Sequence, residues 1–225
     1  FSFSSFIYFW NEVDYGRKLV NSVLISAFVA IFAVILSLLN AYAIGIGRVK
    51  GGKVLLVLLL LGIMVPQESL VYPLYYMSKA TGLYDTIWAV IIIFSVLQSA
   101  FGTYLLSAVL TAFPHEILEA AEIDGASRWQ VLWHVVVPVL RPTLAVLATF
   151  FFIWTWNEFL LPLMLLISND NQTVSVAMGV LQGQNMTTAP NLIAAASLLG
   201  ILPTIVFFLI FQRTLTKGVV VGAIK

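Results

Sequence analysis

Five stretches of this chain run long and apolar, approximately Leu19–Ile46, Val54–Met77, Thr86–Leu110, Thr143–Ile167 and Leu192–Phe211. At a rise of about 1.5 Å per residue, each is long enough as a helix to cross roughly 30 Å of hydrocarbon. Inside a bilayer every backbone N–H and C=O needs a partner, and a helix supplies all of them within the segment. Charged residues make up only 9% of the 225 positions, against about 25% in a soluble domain. Mean hydropathy is +1.02. There are too few charges to cover a water-facing globule, so the fold class is all-α: a polytopic transmembrane helical bundle of about five spans.

The net charge of +1 provides no basic field for nucleic acid. The chain has no cysteine, which excludes disulfides, thiol catalysis and thiolate metal sites. His115 and His134 flank a polar island, Pro114 to Arg141, and read as surface or interface residues rather than metal ligands. Residues Phe1 to Tyr15 are aromatic-rich, carry Glu12 and Asp14, and lack the basic-then-apolar pattern of a signal peptide. They begin without Met, and an upstream segment is expected.

Lysine and arginine set the orientation. The Gly47–Lys53 turn, the Thr111–Pro142 loop and the tail hold Arg48, Lys50, Lys53, Arg128, Arg141, Arg213, Lys217 and Lys225. The opposite side holds Arg17, Lys18 and Lys79. The richer side is assigned to the cytoplasm, which places the N-terminus of the chain outside.

In the first span Ser26, Ala30, Ala33, Ser37, Ala41 and Gly45 fall on one face and predict a close helix–helix seam. The second contains Pro66, Gln67, Glu68 and Pro73, and each proline kinks or breaks a helix. Glu68 near mid-span would cost about 2.5–3.5 kcal/mol on insertion scales, so it faces protein or water, either as a paired buried acid or as a path-lining residue. The fourth span carries Trp154, Trp156, Asn157, Glu158 and Pro162. Aromatic rings beside polar groups suit sugar rings, and Trp equally anchors membrane interfaces. Residues Ser168 to Asn191 form a polar external loop whose apolar patch, Val174 to Leu181, predicts partial order. It is open to a partner or packed on the surface.

The polar island predicts an elbow. Pro114 suits a helix start, Glu116 and Glu119 suit its dipole, and Gly125 suits its stop, so His115 to Asp124 reads as a short helix. Ser127 and Gln130 form a capping box that opens a second helix, which runs through His134 until Pro138. Ala120 and Ala121 leave the backbone approachable, with Glu119, Glu122 and Asp124 around them. A helix lying in lipid headgroups would carry Lys and Arg on that face instead.

Glu119-Ala120-Ala121, three residues, Gly125, nine residues, Val135, one residue, Val137, Pro138 resembles the signature loop of ABC importer permeases. The flanks Phe113-Pro114-His115-Glu116, Ile123-Asp124-Gly125-Ala126-Ser127 and Pro138-Val139-Leu140-Arg141-Pro142 resemble the carbohydrate branch, particularly the second permease subunit of maltose-type importers. Asn21-Ser22, Asn40-Ala41-Tyr42-Ala43, Pro73-Leu74-Tyr75, Trp156-Asn157-Glu158-Phe159, Phe211-Gln212-Arg213, Lys217-Gly218 and Gly222-Ala223-Ile224-Lys225 extend the likeness over nearly the whole chain.

The resemblance implies one transmembrane domain over residues 1–225, with a coupling loop at about 112–142 and an external loop at about 168–191. Glu119, Ala120, Ala121, Asp124 and Gly125 would dock in an ATP-hydrolysing subunit. The expected partners are a second permease, two such ATPases holding ATP and Mg, an extracytoplasmic solute-binding protein and a sugar, in the plasma (inner) membrane of a prokaryote. The chain itself would be no enzyme and would hold no cofactor or metal. Glu68, Gln98, Asn157 and Glu158 are the polar candidates for a translocation path. The family has six spans and a cytoplasmic start where five spans starting outside are read here, and valines at 135 and 137 replace its Ile and Leu. A stand-alone secondary transporter would need an inverted repeat, which the sequence lacks. A membrane enzyme would need clustered titratable groups in a span, and those here are scattered.

Overall fold

A computed structural model describes residues 3–47, 49–185 and 190–223, with side chains described through residue 180 and again over 190–212. Every regular element among the described residues is helical. α1 (Ser4–Glu12) turns at Asp14, whose φ is 48°, into α2 (Tyr15–Gly45). α2 has 31 residues and starts a turn earlier than its apolar run. α3 (Gly52–Met64) leads through a 3₁₀ turn (Gln67–Leu70) to α4 (Val71–Ala80). α5 (Ile87–Thr111) is capped by Thr86 Oγ1, which accepts the Ala89 N–H at 3.3 Å. α6 (His115–Ile123), α7 (Arg128–Gln130), a π turn (Val131–Val136) and α8 (Val137–Asn157) follow. The chain closes with α9 (Leu160–Leu165), α10 (Val174–Asn185) and α11 (Pro190–Ala223). Among the described residues, four helices are long and apolar enough to cross a membrane, or five if the bent pair around Pro66 is one span.

The break expected within Val54–Met77 is present, and the two halves meet at 94°. Pro66 provides the break, while Pro73 is the third residue of α4, where no intrahelical N–H bond is required. The second helix of the elbow does not stop at Pro138. Helix runs from Arg128 to Asn157, 30 residues, so the fourth span starts well before Thr143. The π turn loosens the ladder just ahead of Pro138, the second residue of α8, and gives its ring room. That span ends at Asn157 instead of Ile167, with Glu158 extended (ψ 135°) and α9 resuming beyond it.

The small-residue face of α2 forms the seam its spacing predicts. Ser26, Ala30, Ala33, Ser37 and Ala41 are buried. A Cβ on Gly102 of α5 would sit 2.1 Å from Ser37 Oγ, and one on Gly45 would sit 3.1 Å from Leu110 Cβ. In lipid such close backbone approach supplies the packing that apolar burial supplies in water. Below the seam, Leu106, Leu110, Leu118, Leu132 and Leu140 share a buried cluster that joins α2, α5, α6 and α8.

Candidate functional site

The elbow is built by backbone rules. At the end of α6 the Ala126 N–H donates to Ala121 O and the Gly125 N–H to Glu122 O, both at 3.0 Å. This paired closure needs a left-handed residue, and Gly125 has φ +75°. Pro114 precedes α6 instead of occupying its first turn. At the start of α7 the Ser127 N–H donates to Gln130 Oε1 at 2.7 Å, and Ser127 Oγ accepts the Gln130 N–H at 3.4 Å, the capping box read from the sequence. Leu118 anchors α6 in the buried cluster.

Glu119, Ala120, Glu122, Asp124 and Gly125 are exposed. Ala121 is half-buried and leans on the cluster together with Ala126, so its small size serves the helix closure as well as the outer surface. Ile123, unmarked in the sequence reading, is the most open apolar residue of α6 at 85% exposure. His115 and His134 are both exposed. A cavity of about 400 Å³ separates α6 from the end of α2, rimmed by Tyr42, His115, Glu119, Glu122 and Arg128.

The opposite end of the bundle carries a strap. Asp85 Oδ1 accepts the N–H groups of Ile167 and Ser168, both at 2.9 Å, and Oδ2 accepts the Ser168 hydroxyl. Asn171 Nδ2 donates to Asp85 O at 2.6 Å. Burial pushes the Asp85 carboxyl up, but hydrogen bonds from Ser168, Asn171 and Ile167 outweigh it and hold it below the usual carboxylate range. From α2, Lys18 Nζ donates to Asn169 O, Asn21 Nδ2 to Asp170 O at 2.7 Å, and Arg17 pairs with Asp170 at 3.1 Å. The predicted external loop is thus tied down, and its apolar patch is the helix α10.

The four candidate path residues separate. Glu158 is half-buried just after α8, and Glu68 is exposed in the 3₁₀ turn between α3 and α4. Asn157 is exposed, and its Nδ2 donates to Ile153 O at 2.7 Å. It lines two cavities, about 750 Å³ toward α10 and α11 and about 580 Å³ beside Trp154, Glu158 and Phe208. Glu68 lies at one helix break, and Asn157 and Glu158 lie at another. Gln98 stands apart, fully buried, with Nε2 donating to Thr155 Oγ1 at 2.9 Å across the α5–α8 contact. Trp156 is buried with its ring stacked on Phe152, and Trp154 meets Phe101 and Phe150. The side chains of Arg48, Arg213, Lys217 and Lys225, four of the charges used for orientation, lie outside the described residues.

A bundle of membrane-length helices with a capped elbow at one end and a tied strap at the other defines a multi-pass membrane protein. The chain belongs to the family of binding-protein-dependent transport system inner membrane components, which it matches over residues 43–221. It is similar to the trehalose transport system permease protein of Mycobacterium tuberculosis (strain CDC 1551 / Oshkosh), 34% identical over 212 residues, or 94% of this chain and 77% of the relative. It is similar to the melibiose/raffinose/stachyose import permease protein of Bacillus subtilis (strain 168), 30% identical over 225 residues, or 100% of this chain and 81% of the relative. In fold it matches a crystal structure of a bacterial ABC transporter involved in the import of the acidic polysaccharide alginate, with a TM-score of 0.79 at 20% identity, over 94% of this chain and 79% of that one. The chain is accordingly a transport permease subunit of the inner membrane, as its Glu-Ala-Ala loop suggested.

Proposed function

We propose that this chain is one permease subunit of an ATP-driven importer of sugars or oligosaccharides. It pairs with a second permease to enclose the path, receives solute from an extracytoplasmic binding protein, and is driven by two ATP-hydrolysing subunits that hold ATP and Mg. The observation that carries this reading is the elbow: an acid-rimmed face at Glu119, Ala120 and Asp124, open to solvent, on a helix whose other side is locked into the core by Leu118. A face that is exposed yet rigidly backed can receive force without collapsing. Closure of the ATPases would displace α6, and the joined bundle would tilt with it. Gly125 holds the angle of the elbow, and Ala121 lets its turn close.

Glu68, Asn157 and Glu158 are assigned to the path because each stands at a helix break, Glu68 between α3 and α4 and the other two between α8 and α9. Gln98 joins them only when α5 and α8 part. The carbohydrate assignment rests on the relatives named above. An sn-glycerol-3-phosphate transport system permease protein of Yersinia pestis, 30% identical over 213 residues, supports a second reading, a phosphorylated polyol. Competition of uptake by trehalose and by glycerol 3-phosphate separates the two.

The test is a cysteine at Ala120 in the purified complex. A cross-link to an ATPase subunit is expected, and a cysteine that reacts only with lipid-phase reagents would refute docking. Gly125→Pro, which cannot adopt φ +75°, and Glu119→Lys should abolish uptake while the chain still inserts in the membrane.

A further inference from the structure

Between the elbow and the span, the helix passes from α7 into the π turn Val131–Val136. At such a junction the hydrogen-bond ladder changes step around the carbonyls of Arg128 and Gln130. Two side chains reach them. A His134 ring nitrogen lies 3.2 Å from Gln130 O. The Tyr42 hydroxyl, from the far end of α2, donates to Arg128 O at 2.9 Å across 86 residues of sequence. The Tyr42 ring is half-buried against the cluster that contains Leu118. Its own carbonyl accepts the N–H groups of Ile46 and Gly47 at 3.0 and 2.9 Å, which closes α2. One residue therefore terminates the first span and grips the first residue of the elbow's second arm.

We propose that Tyr42 is the positioning residue that carries elbow movement into the bundle, a role that rests on the docking reading of α6. With the hydroxyl in place, displacement of α6 and α7 draws the end of α2 along. The close approach of Gly45 to Leu110 then carries α5 with it. Without the hydroxyl the elbow swings on the π turn, and α2 stays behind.

The chain has no cysteine, so a pair introduced at Glu122 and Val23, both exposed, is unique within it. Spin labels there report the distance from α6 to the outer part of α2 by pulsed electron paramagnetic resonance in the reconstituted complex, with and without ATP and vanadate. The parent chain is expected to keep one distance in both states. In Tyr42→Phe, which removes a single hydrogen bond, a second, displaced population is expected to grow about five-fold on trapping. Identical distributions in the two chains, with the Ala120 cross-link to the ATPase retained, would overturn the role of Tyr42 and leave docking intact. Absence of that cross-link in the parent would overturn docking and the transmission role together. Phe fills nearly the same volume, so loss of assembled complex in Tyr42→Phe would overturn the proposal in favour of a purely architectural role.

Discussion

At the residue scale, the seam between α2 and α5 tolerates no added atom. A Cβ on Gly102 would meet Ser37 Oγ at 2.1 Å and Phe151 Cζ at 3.0 Å, whereas one on Gly62 meets nothing within 4 Å. Gly102→Ala is therefore expected to destabilise the purified protein by about 1–3 kcal/mol, seen as a lower unfolding midpoint in detergent. Gly62→Ala should leave that midpoint unchanged or slightly raised. The α2 side of this contact is legible in the sequence, because small residues recur at helical spacing from Ser26 to Gly45. Gly102 is not, since its partner depends on the register between two helices that no local pattern records. Gln98 illustrates the same limit: its polarity marks it as noteworthy, but only packing shows it turned toward Thr155.

At the scale of elements, the strap at 167–172 is fastened at its start by one ionised group, Asp85. Asp85 is held below its ordinary range when folded, so its contribution is fully present above the unfolded carboxylate value and is lost as pH falls through the folded one. The strap is expected to stay closed at neutral pH and to loosen only in acid, below about pH 4. Proteolysis or hydrogen exchange of residues 167–172 across that range checks this. Asp85→Asn should show the loosened behaviour already at neutral pH. Nothing in the sequence announces the contact, because Asp85 and Ser168 lie 83 residues apart. The break at Pro66 was readable from proline alone. The passage of helix through Pro138 was not, because tolerance there depends on the π turn upstream, a backbone feature without a side-chain signature.

For the molecule as a whole, the described contacts sort to two ends. Arg17, Lys18, Asp85 and the strap share one, while Tyr42, Arg128 and α6 share the other. Charge counting assigns the second to the cytoplasm, and the connectivity alone places the two sets apart along α2. Cysteines at Asp170 and at Glu122 are thus expected to react with a membrane-impermeant reagent from opposite sides of sealed vesicles. Labelling of both from one side would contradict the arrangement. The span pattern and the elbow were legible because membrane crossing and helix capping are local chemistry. The strap and the Tyr42 link are products of tertiary contact.

The right-angled bend after Met64 has a consequence for this flank. α3 contains 13 residues, a reach of about 20 Å, and it falls short of the hydrocarbon depth by about 10 Å. If the bent pair is one span, α4 beyond the bend completes the crossing, so this flank traverses the hydrocarbon by an angled step instead of a straight rod.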